Sequence, residues 1–192
     1  MTSCEYGSVL RPTYPILTKR LLLRPLHADD TEAVYAYRSR EDVCRFLLFE
    51  PQSREQVAAR VTSSRSELTD EGQVLSLAVV ERATGALAGD VVLIWLSREH
   101  RAGEIGYVLN PDHAGNGYAT EAGAALLRLG FDGLGLHRIV GRLDARNLAS
   151  ARVLEKLHLR REAHFVENEF VKGEWTDELV YAALASEWRD PA

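Results

Sequence analysis

A strand–loop–helix–strand passage from Glu104 to Leu143 is the feature that most limits how this chain can fold. Glu104–Leu109 has the composition of a strand, and a glycine-rich loop follows it. Ala119–Phe131 then has apolar side chains at helical spacing, and Ile139–Leu143 is typical of a short buried strand. Two strands joined through a helix lie parallel in one sheet. The sequence therefore predicts a crossover unit inside a mixed α/β sheet.

Antiparallel strands are predicted around that unit. Val74–Glu81 and Leu87–Leu96 are separated by a short turn, and with Glu104–Leu109 they form a predicted antiparallel meander. The other predicted strands are Arg20–Leu26, Glu162–Phe170 and Glu178–Leu184.

Three further helices are predicted from their capping residues and apolar spacing. Asp29 and Asp30 precede the first helix as candidate caps. Ser53 and Gln56 form a capping box at the start of the second helix. The third covers Leu148–Leu157 and lies between two predicted strands.

Length and composition indicate one soluble domain. The 192 residues are 46% hydrophobic and 27% charged, so we expect a single domain over 1–192, with 1–16 as a loose lead-in. A net charge of -5 excludes the global basic footprint of a nucleic-acid-binding protein. The apolar run Val91–Leu96 is far shorter than the ~18–20 residues of a membrane helix. Cys4 and Cys44 cannot build a disulfide framework or a zinc site alone. We expect a reduced, cytoplasmic protein.

The loop Asn110–Thr120 contains two glycines and no lysine or arginine. Its backbone N–H groups, with the end of the following helix, can bind a phosphate. The loop lacks the Gly-Lys-Ser/Thr ending of a Walker loop. It also fits a dinucleotide fingerprint poorly, because Thr120 stands where a third small residue is required. The residues alone leave two interpretations open, a phosphate site and a turn that only starts a helix.

Several motifs in one order resemble the GNAT N-acetyltransferases, in particular the RimJ/RimL-like branch that acetylates the N-termini of ribosomal proteins. The resemblance extends from about Leu17 to Trp188. The matching segments are Leu17–Leu26, Glu104–Val108, Gly115–Ala122, Asn147–Ser150 with Leu154–Leu157, and Trp175–Asp177 with the strand through Tyr181.

The resemblance implies a mostly antiparallel sheet of six or seven strands, flanked by helices and splayed beside Glu104–Leu109. Acetyl-CoA is the implied cosubstrate, lying in that opening without a metal. The implied pantetheine contacts come from the strand, and the pyrophosphate contacts come from the backbone of the glycine loop. The implied cofactor-binding residues are Tyr107, Val108, Leu109, Ala114, Gly115, Asn116, Gly117, Tyr118, Ala119, Thr120 and Asn147.

Two side chains are candidates for the chemistry. A free amine is mostly protonated at neutral pH and must lose a proton before it attacks a thioester. The resemblance places family bases at Glu104, although this residue also suits a surface strand position paired with Arg101 or another base. Glu167 and Glu169 are the alternatives.

Ser150 is the candidate hydrogen-bond or proton donor to the departing CoA sulfur, while Asn147 and Ser150 also fit the N-cap and third position of a helix. The backbone N–H of Val108 or Leu109 is a candidate oxyanion donor if the strand bulges there.

The acceptor is predicted to be a protein or peptide α-amine. The alternatives are a small amine (a polyamine, an amino acid or an antibiotic) and a non-catalytic acyl-CoA-binding module on the same fold. Two segments are expected to form the acceptor wall, Tyr37–Glu50 and Phe170–Trp175. A homodimer is expected from the family, and neither nucleic acid nor membrane is an expected partner.

The sequence departs from the family pattern at two positions. Ala114 replaces a residue that is often Gln or Arg, and His158 stands where the branch has a glycine. A left-handed cap at His158 is tolerable but less favourable than with glycine. Cys44 is expected in the core, because direct attack by an amine requires no cysteine nucleophile. The histidines show no paired metal-ligand spacing.

Overall fold

The computed structural model describes residues 9–191 and shows a mixed sheet of eight strands. The strands are β1 (Ile16–Leu17), β2 (Leu21–Pro25), β3 (Val74–Glu81), β4 (Leu87–Ser97), β5 (Ala102–Leu109), β6 (Arg138–Asp144), β7 (Arg160–Val171) and β8 (Glu174–Leu184). Their order in space is β1-β2-β3-β4-β5-β6-β8-β7. Strands β3, β4 and β5 form the predicted antiparallel meander.

The parallel pair β5–β6 confirms the predicted crossover unit and the predicted splay. Its pairing covers Ala102–Glu104 on β5 and Arg138–Val140 on β6. Beyond these residues β5 continues to Leu109 and β6 to Asp144 without pairing to each other. The two strands therefore enclose an opening in the middle of the sheet.

Helices cover both faces of the sheet. They are α1 (Thr31–Arg38), α2 (Glu41–Cys44), α3 (Arg54–Ser63), α4 (Tyr118–Arg128) and α5 (Leu148–Lys156). Leu126 of α4 and Leu154 of α5 belong to the main core, together with Leu93 and Ile105 of the sheet. Helices α1 and α3 contribute to a separate buried cluster that contains Ala78 and Val80 of β3. Since Cβ atoms alternate between faces along a strand, the two clusters lie on opposite sides of the sheet.

The helix starts follow the predicted caps in part. Ser53 and Gln56 form the predicted capping box, with Oε1 of Gln56 2.7 Å from N of Ser53. Asp30 occupies the N-cap position of α1, but its carboxylate binds Arg24 and the backbone N–H of His27 instead of the helix. The four-residue helix α2 was not predicted.

The lead-in expected to be loose over 1–16 is attached to the domain from Leu10 onward. Leu10 exchanges two backbone hydrogen bonds with Leu68, of 2.7 and 3.0 Å, and its side chain is buried in the main core. Ile16–Leu17 pairs with Leu22–Leu23, which adds a strand to the expected six or seven. Burial of the apolar side chains favours this attachment. Residues 1–8, including Cys4, lie outside the described residues.

His158 ends α5 in the left-handed conformation, with a φ of 62°. Its N–H donates to the carbonyl of Glu155, and the N–H of Leu159 donates to the carbonyl of Leu154. This pattern is a Schellman motif, in which glycine is the preferred residue at the position of His158.

Cys44 is fully buried, as expected. Across residues 9–191 no helix is both long enough and apolar enough to cross a membrane.

Candidate active site

The glycine loop between β5 and α4 is exposed, and the space above Gly115 is open. Gly115 and Gly117 have φ angles of 80° and 76°, a conformation in which side chains with a Cβ are strained. A Cβ added at Gly115 would meet no atom within 4 Å. A Cβ added at Gly117 would lie 3.5 Å from Nη2 of Arg20, so the backbone is most open to a ligand at Gly115.

The N–H groups at the start of α4 are available to such a ligand. The helix begins after Gly117 without a capping side chain, and its first turn contains Tyr118, Ala119 and Thr120. The first N–H groups of a helix have no partner inside the helix, and the helix dipole adds partial positive charge there. This end of α4 fits the pyrophosphate of CoA. Ala114 differs, because its N–H already donates to the carbonyl of Pro111 at 2.9 Å.

Arg20 anchors this loop, a role that the sequence analysis missed. Its Nη1 donates to the carbonyl of Asn116 at 2.7 Å, and its Nε donates to Glu121 at 2.7 Å. The guanidinium also lies over the ring of Tyr118, 5.0 Å from the centroid. Arg20 lies in the turn between β1 and β2, 96 residues before Asn116 in the chain. It places a cation beside the proposed phosphate site.

One backbone edge of β5 faces the opening. The N–H of Asn110 donates to the carbonyl of Ala88 in β4. Along an antiparallel pair, every second residue of a strand directs its N–H and C=O groups to the neighbouring strand. The backbone N–H and C=O groups of Val108 therefore point towards β4, whereas those of Tyr107 and Leu109 point towards the opening. The register with β4 is continuous at Val108 and Leu109, so the strand has no bulge there. Of the two candidate oxyanion donors, only the N–H of Leu109 faces the opening.

Glu104 lies where β5 and β6 separate. It is opposite Val140, the last residue of β6 that pairs with β5. Its Oε2 is 3.4 Å from Nε of Arg142, and 22% of its side chain is exposed. Burial raises the pKa of Glu104 above its ordinary value, and the cation of Arg142 opposes that rise. Glu104 is thus a partly buried carboxylate that holds a proton more readily than an exposed glutamate.

Two further acids lie near Glu104. Glu178 on β8 is buried, and it accepts hydrogen bonds from Arg142 and from Nδ2 of Asn168. The negative charges of Glu178 and Glu169 both raise the pKa of Glu104. Sequence reasoning missed Glu178, although an acid within a strand that continues as Leu-Val-Tyr was a usable signal. The backbone N–H of the alternative base Glu167 donates to Oδ1 of Asp177 at 2.9 Å.

Ser150 and Tyr107 meet across the opening. Oη of Tyr107 is 2.8 Å from Oγ of Ser150 and donates to the carbonyl of Ser150 at 3.0 Å. Burial raises the pKa of Tyr107 to about 12, and the hydrogen bond to Ser150 opposes that rise. Oδ1 of Asn147 accepts the N–H of Ser150 at 3.0 Å, so Asn147 is the N-cap of α5.

The candidate base and donor lie on opposite faces of the sheet. Glu104 and Tyr107 are three residues apart on β5, and side chains alternate between faces along a strand. Tyr107 reaches α5 on one face, while Glu104 pairs on the other face with Arg142, which also pairs with Glu178. A thioester in the opening would therefore have a proton acceptor on one side and a hydroxyl donor on the other.

A cavity lined by Glu169, whose charge acts on Glu104, contains residues of both expected acceptor walls. One wall comes from α2 and its continuation, and the other comes from the β7–β8 hairpin. The lining residues are Arg45, Phe46, Leu48, Asp144, Arg146, Glu169, Val171, Lys172, Glu174 and Thr176. Phe170 and Trp175 of the expected wall are absent from this lining; they pack edge to face, 5.3 Å between ring centroids, at exposed positions of the hairpin.

The cations of this cavity differ in how they are paired. Arg146 binds Asp144 and Glu174, at 2.7 and 2.8 Å. Lys172 donates to the carbonyl of Cys44 and so ties the hairpin to α2. Arg45 lies over the ring of Phe46 and has no ion pair within residues 9–191.

Known proteins are similar to this chain in sequence and in fold. The model of the family described as "Acetyltransferase (GNAT) domain" matches residues 20–160. An uncharacterized N-acetyltransferase, YnaD of Bacillus subtilis, is 35% identical over 173 residues, covering 90% of this chain and 98% of that protein. A spermidine N(1)-acetyltransferase of Escherichia coli is 26% identical over 160 residues, covering 82% of each chain.

Solved structures agree with this match. A GNAT-family acetyltransferase from Bacillus anthracis has a TM-score of 0.80 and 34% identity, covering 90% of this chain and 99% of the other. A spermidine N-acetyltransferase from Vibrio cholerae, solved with CoA and spermine, has a TM-score of 0.76 and 23% identity, covering 88% and 98%. The second likeness concerns the fold alone. The chain belongs to the GNAT family of acetyltransferases and is an N-acetyltransferase.

Proposed function

We propose that the protein transfers the acetyl group of acetyl-CoA to the α-amine at the N-terminus of a peptide or protein, as in the RimJ/RimL-like branch. The observation that carries this proposal is the opening between β5 and β6, with Glu104 on one face and the Tyr107–Ser150 contact on the other. We also propose that residues 1–192 form a single acetyltransferase domain.

Acetyl-CoA is bound by the glycine loop and by the backbone of β5 that faces the opening. Backbone N–H groups from Gly115 to Thr120 bind the pyrophosphate, supported by the uncapped start of α4. Backbone groups of Tyr107 and Leu109 pair with the pantetheine arm, and the N–H of Leu109 is placed to stabilise an oxyanion. Bound acetyl-CoA supplies an activated acetyl thioester at the opening.

Glu104 acts as the general base. It accepts a proton from the acceptor ammonium, either directly or through water, so that the amine nitrogen can attack the thioester carbon. Its raised pKa makes the carboxylate a better proton acceptor than an ordinary glutamate near neutral pH. Arg142 opposes that rise in pKa and so favours the ionised carboxylate that accepts the proton.

The cavity favours a peptide over a polyamine. Phe46, Leu48 and Val171 provide apolar surface for the side chains that follow an N-terminal amine. Cations and carboxylates both line this cavity, so the preference for a peptide rests on its apolar surface and not on its charge.

A small polyamine is the second candidate. Glu169 and Glu178 lie close enough to Glu104 for their charges to raise its pKa, and a group of carboxylates attracts a polycation. The spermidine acetyltransferase relative is consistent with this candidate.

A panel of acceptors separates the two. Initial rates of CoA release are measured with short peptides carrying a free N-terminal α-amine, with the same peptides blocked at that amine, and with spermidine. The proposal expects turnover with the free peptides and none above background with the blocked ones. Turnover with spermidine alone would assign the polyamine activity instead.

A further inference from the structure

Among the described residues, the hydroxyl group of Tyr107 joins Ser150 to the part of β5 that does not pair with β6. It lies beyond the last paired residues of β5 and β6. Its Oη approaches both oxygen atoms of Ser150, at 2.8 Å for Oγ and 3.0 Å for the carbonyl. We refer to Tyr107 and Ser150 below as the hydroxyl pair.

The protons of the hydroxyl pair have two arrangements. A phenol carries one proton, and a carbonyl only accepts. When Tyr107 donates to the carbonyl of Ser150, the Ser150 hydroxyl donates back to Oη and its own proton is occupied. When Tyr107 donates to Oγ, the Ser150 proton is free to point into the opening.

The second arrangement leaves the carbonyl of Ser150 with a partner. Ser150 is the third residue of α5, and a carbonyl at this position accepts the N–H four residues further along the helix. Tyr107 can therefore leave that carbonyl without creating an unsatisfied buried group, which keeps the free energy difference between the arrangements small.

We propose that Tyr107 is a positioning residue for the leaving group: its hydroxyl donates to Oγ of Ser150 and thereby directs the Ser150 proton to the CoA sulfur. As the carbon–sulfur bond breaks, its electron pair goes to the sulfur, and the Ser150 hydroxyl donates a hydrogen bond to the resulting thiolate. Both hydroxyl groups keep their protons throughout. This role of Tyr107 rests on the proposed function, in which acetyl-CoA lies in the opening.

The environment of Tyr107 suits a donor that never ionises. Burial raises its pKa to about 12, so it remains a phenol throughout the physiological range. The alternative role is mechanical, in which Tyr107 only attaches α5 to β5 through the carbonyl of Ser150. The two roles differ in which oxygen atom of Ser150 matters.

The test is the pKa of the thiol of CoA bound to the protein, because this readout requires no acceptor. Thiolate absorbance is followed against pH, with desulfo-CoA as the reference. In the unmodified protein we expect the thiol of bound CoA to titrate about one pH unit below free CoA, the size expected for one hydrogen bond to a charged group.

Tyr107→Phe and Ser150→Ala should each remove this shift, and Tyr107→Phe should add nothing in the Ser150→Ala background. Ser150→Thr keeps a hydroxyl and should retain the shift. Tyr181→Phe is the matched control, since Oη of Tyr181 also joins the sheet to α5, at Glu155 and 3.1 Å away. It should leave the shift unchanged.

A mechanical role gives a different result. Ser150→Ala retains its carbonyl, so Tyr107→Phe would then weaken CoA binding and lower the unfolding temperature equally in both backgrounds, without moving the thiol pKa. CoA that binds with an unshifted thiol would overturn the role of the hydroxyl pair alone. Failure of CoA to bind at all would overturn the cofactor placement and the hydroxyl pair together.

Discussion

Glu104, the last residue of β5 that pairs with β6, forms an ion pair with Arg142 of β6, with 3.4 Å between Oε2 and Nε. The pair marks the vertex of the opening. It places a carboxylate of raised pKa at the edge of the opening in which we propose that the amine meets the thioester.

Replacing Glu104 by Gln should lower the turnover number by about a hundredfold or more, because a general base contributes rate factors of that order. The dissociation constant of CoA should change little, since the carboxylate lies on the acceptor face. Turnover is measured by thiol release with a peptide acceptor, and CoA binding by calorimetry. Glu99→Gln, an exposed carboxylate in the turn before β5, is the control and should behave as the parent. Equal turnover in both variants would remove Glu104 from the mechanism.

The reaction rate should depend on pH through the ionisation of Glu104. Glu104 must be ionised to accept a proton, so the rate should fall as the pH drops through its pKa. Because that pKa is raised from 4.5, the acid limb should lie at a higher pH than an ordinary glutamate gives. Arg142→Gln removes a charge that lowers the pKa and should move the limb to higher pH. Glu178→Gln removes a charge that raises it and should move the limb to lower pH.

An acid limb that moves in the same direction in both variants would contradict this electrostatic assignment. Rates are compared as kcat/KM, which reports the ionisation of the free enzyme.

Replacing Gly117 should weaken CoA binding by more than its effect on the stability of the fold explains. Gly117→Ala places a Cβ on a residue with a φ of 76° and should cost about 1–2 kcal/mol of stability. Gly85→Ala is a matched control, because Gly85 has a φ of 74° in the turn between β3 and β4. Both variants should unfold at lower temperature, but only Gly117→Ala should weaken CoA binding. Equal CoA affinity in both would show that the loop does not hold the cofactor.

Arg20 should matter for CoA affinity although it is distant in sequence from the loop. Arg20→Gln removes the bond to Asn116 and leaves the carboxylate of Glu121 without this cation near the proposed phosphate site. We expect the dissociation constant of CoA to rise about tenfold, the size of one charge-assisted hydrogen bond. Arg98→Gln is the control, since Arg98 likewise pairs with an acid, Asp70, and lies over an aromatic ring. A larger effect from Arg98→Gln would contradict the role of Arg20.

His158→Gly should stabilise the fold. Glycine relieves the left-handed strain at the end of α5 but adds chain entropy to the unfolded state, so the net gain should be at most about 1 kcal/mol. Lys156→Gly, inside the last turn of the same helix, should instead lower the free energy of unfolding. Chemical denaturation of the two variants measures both changes. A loss of stability in His158→Gly would contradict the claim that His158 is strained in its left-handed conformation.

The parts of the fold that depend on local pattern were predictable. β3 has the predicted bounds, and the capping box of Ser53 lies where the sequence placed it. The crossover through α4 was also predictable, because its two strands and helix follow one another along the chain.

The missed features depend on contacts between distant segments. Arg20 reaches Asn116 only because β2 packs beside α4, and Glu178 reaches Arg142 only through the register of β8 against β6. The backbone donors within the loop were uncertain for another reason. Whether an N–H such as that of Ala114 is already bound depends on the turn it closes.

The most direct measurement is thermal unfolding with acetyl-CoA, CoA, ATP and NAD, each at about 100 times its plausible dissociation constant. A bound ligand at that level adds about 2.7 kcal/mol, which is a shift of roughly 5–10 °C for a protein of this size. We predict a shift of this size with acetyl-CoA and CoA and none with ATP or NAD. No shift with CoA, or a larger one with ATP or NAD, would contradict the assignment of the opening and the glycine loop to acetyl-CoA.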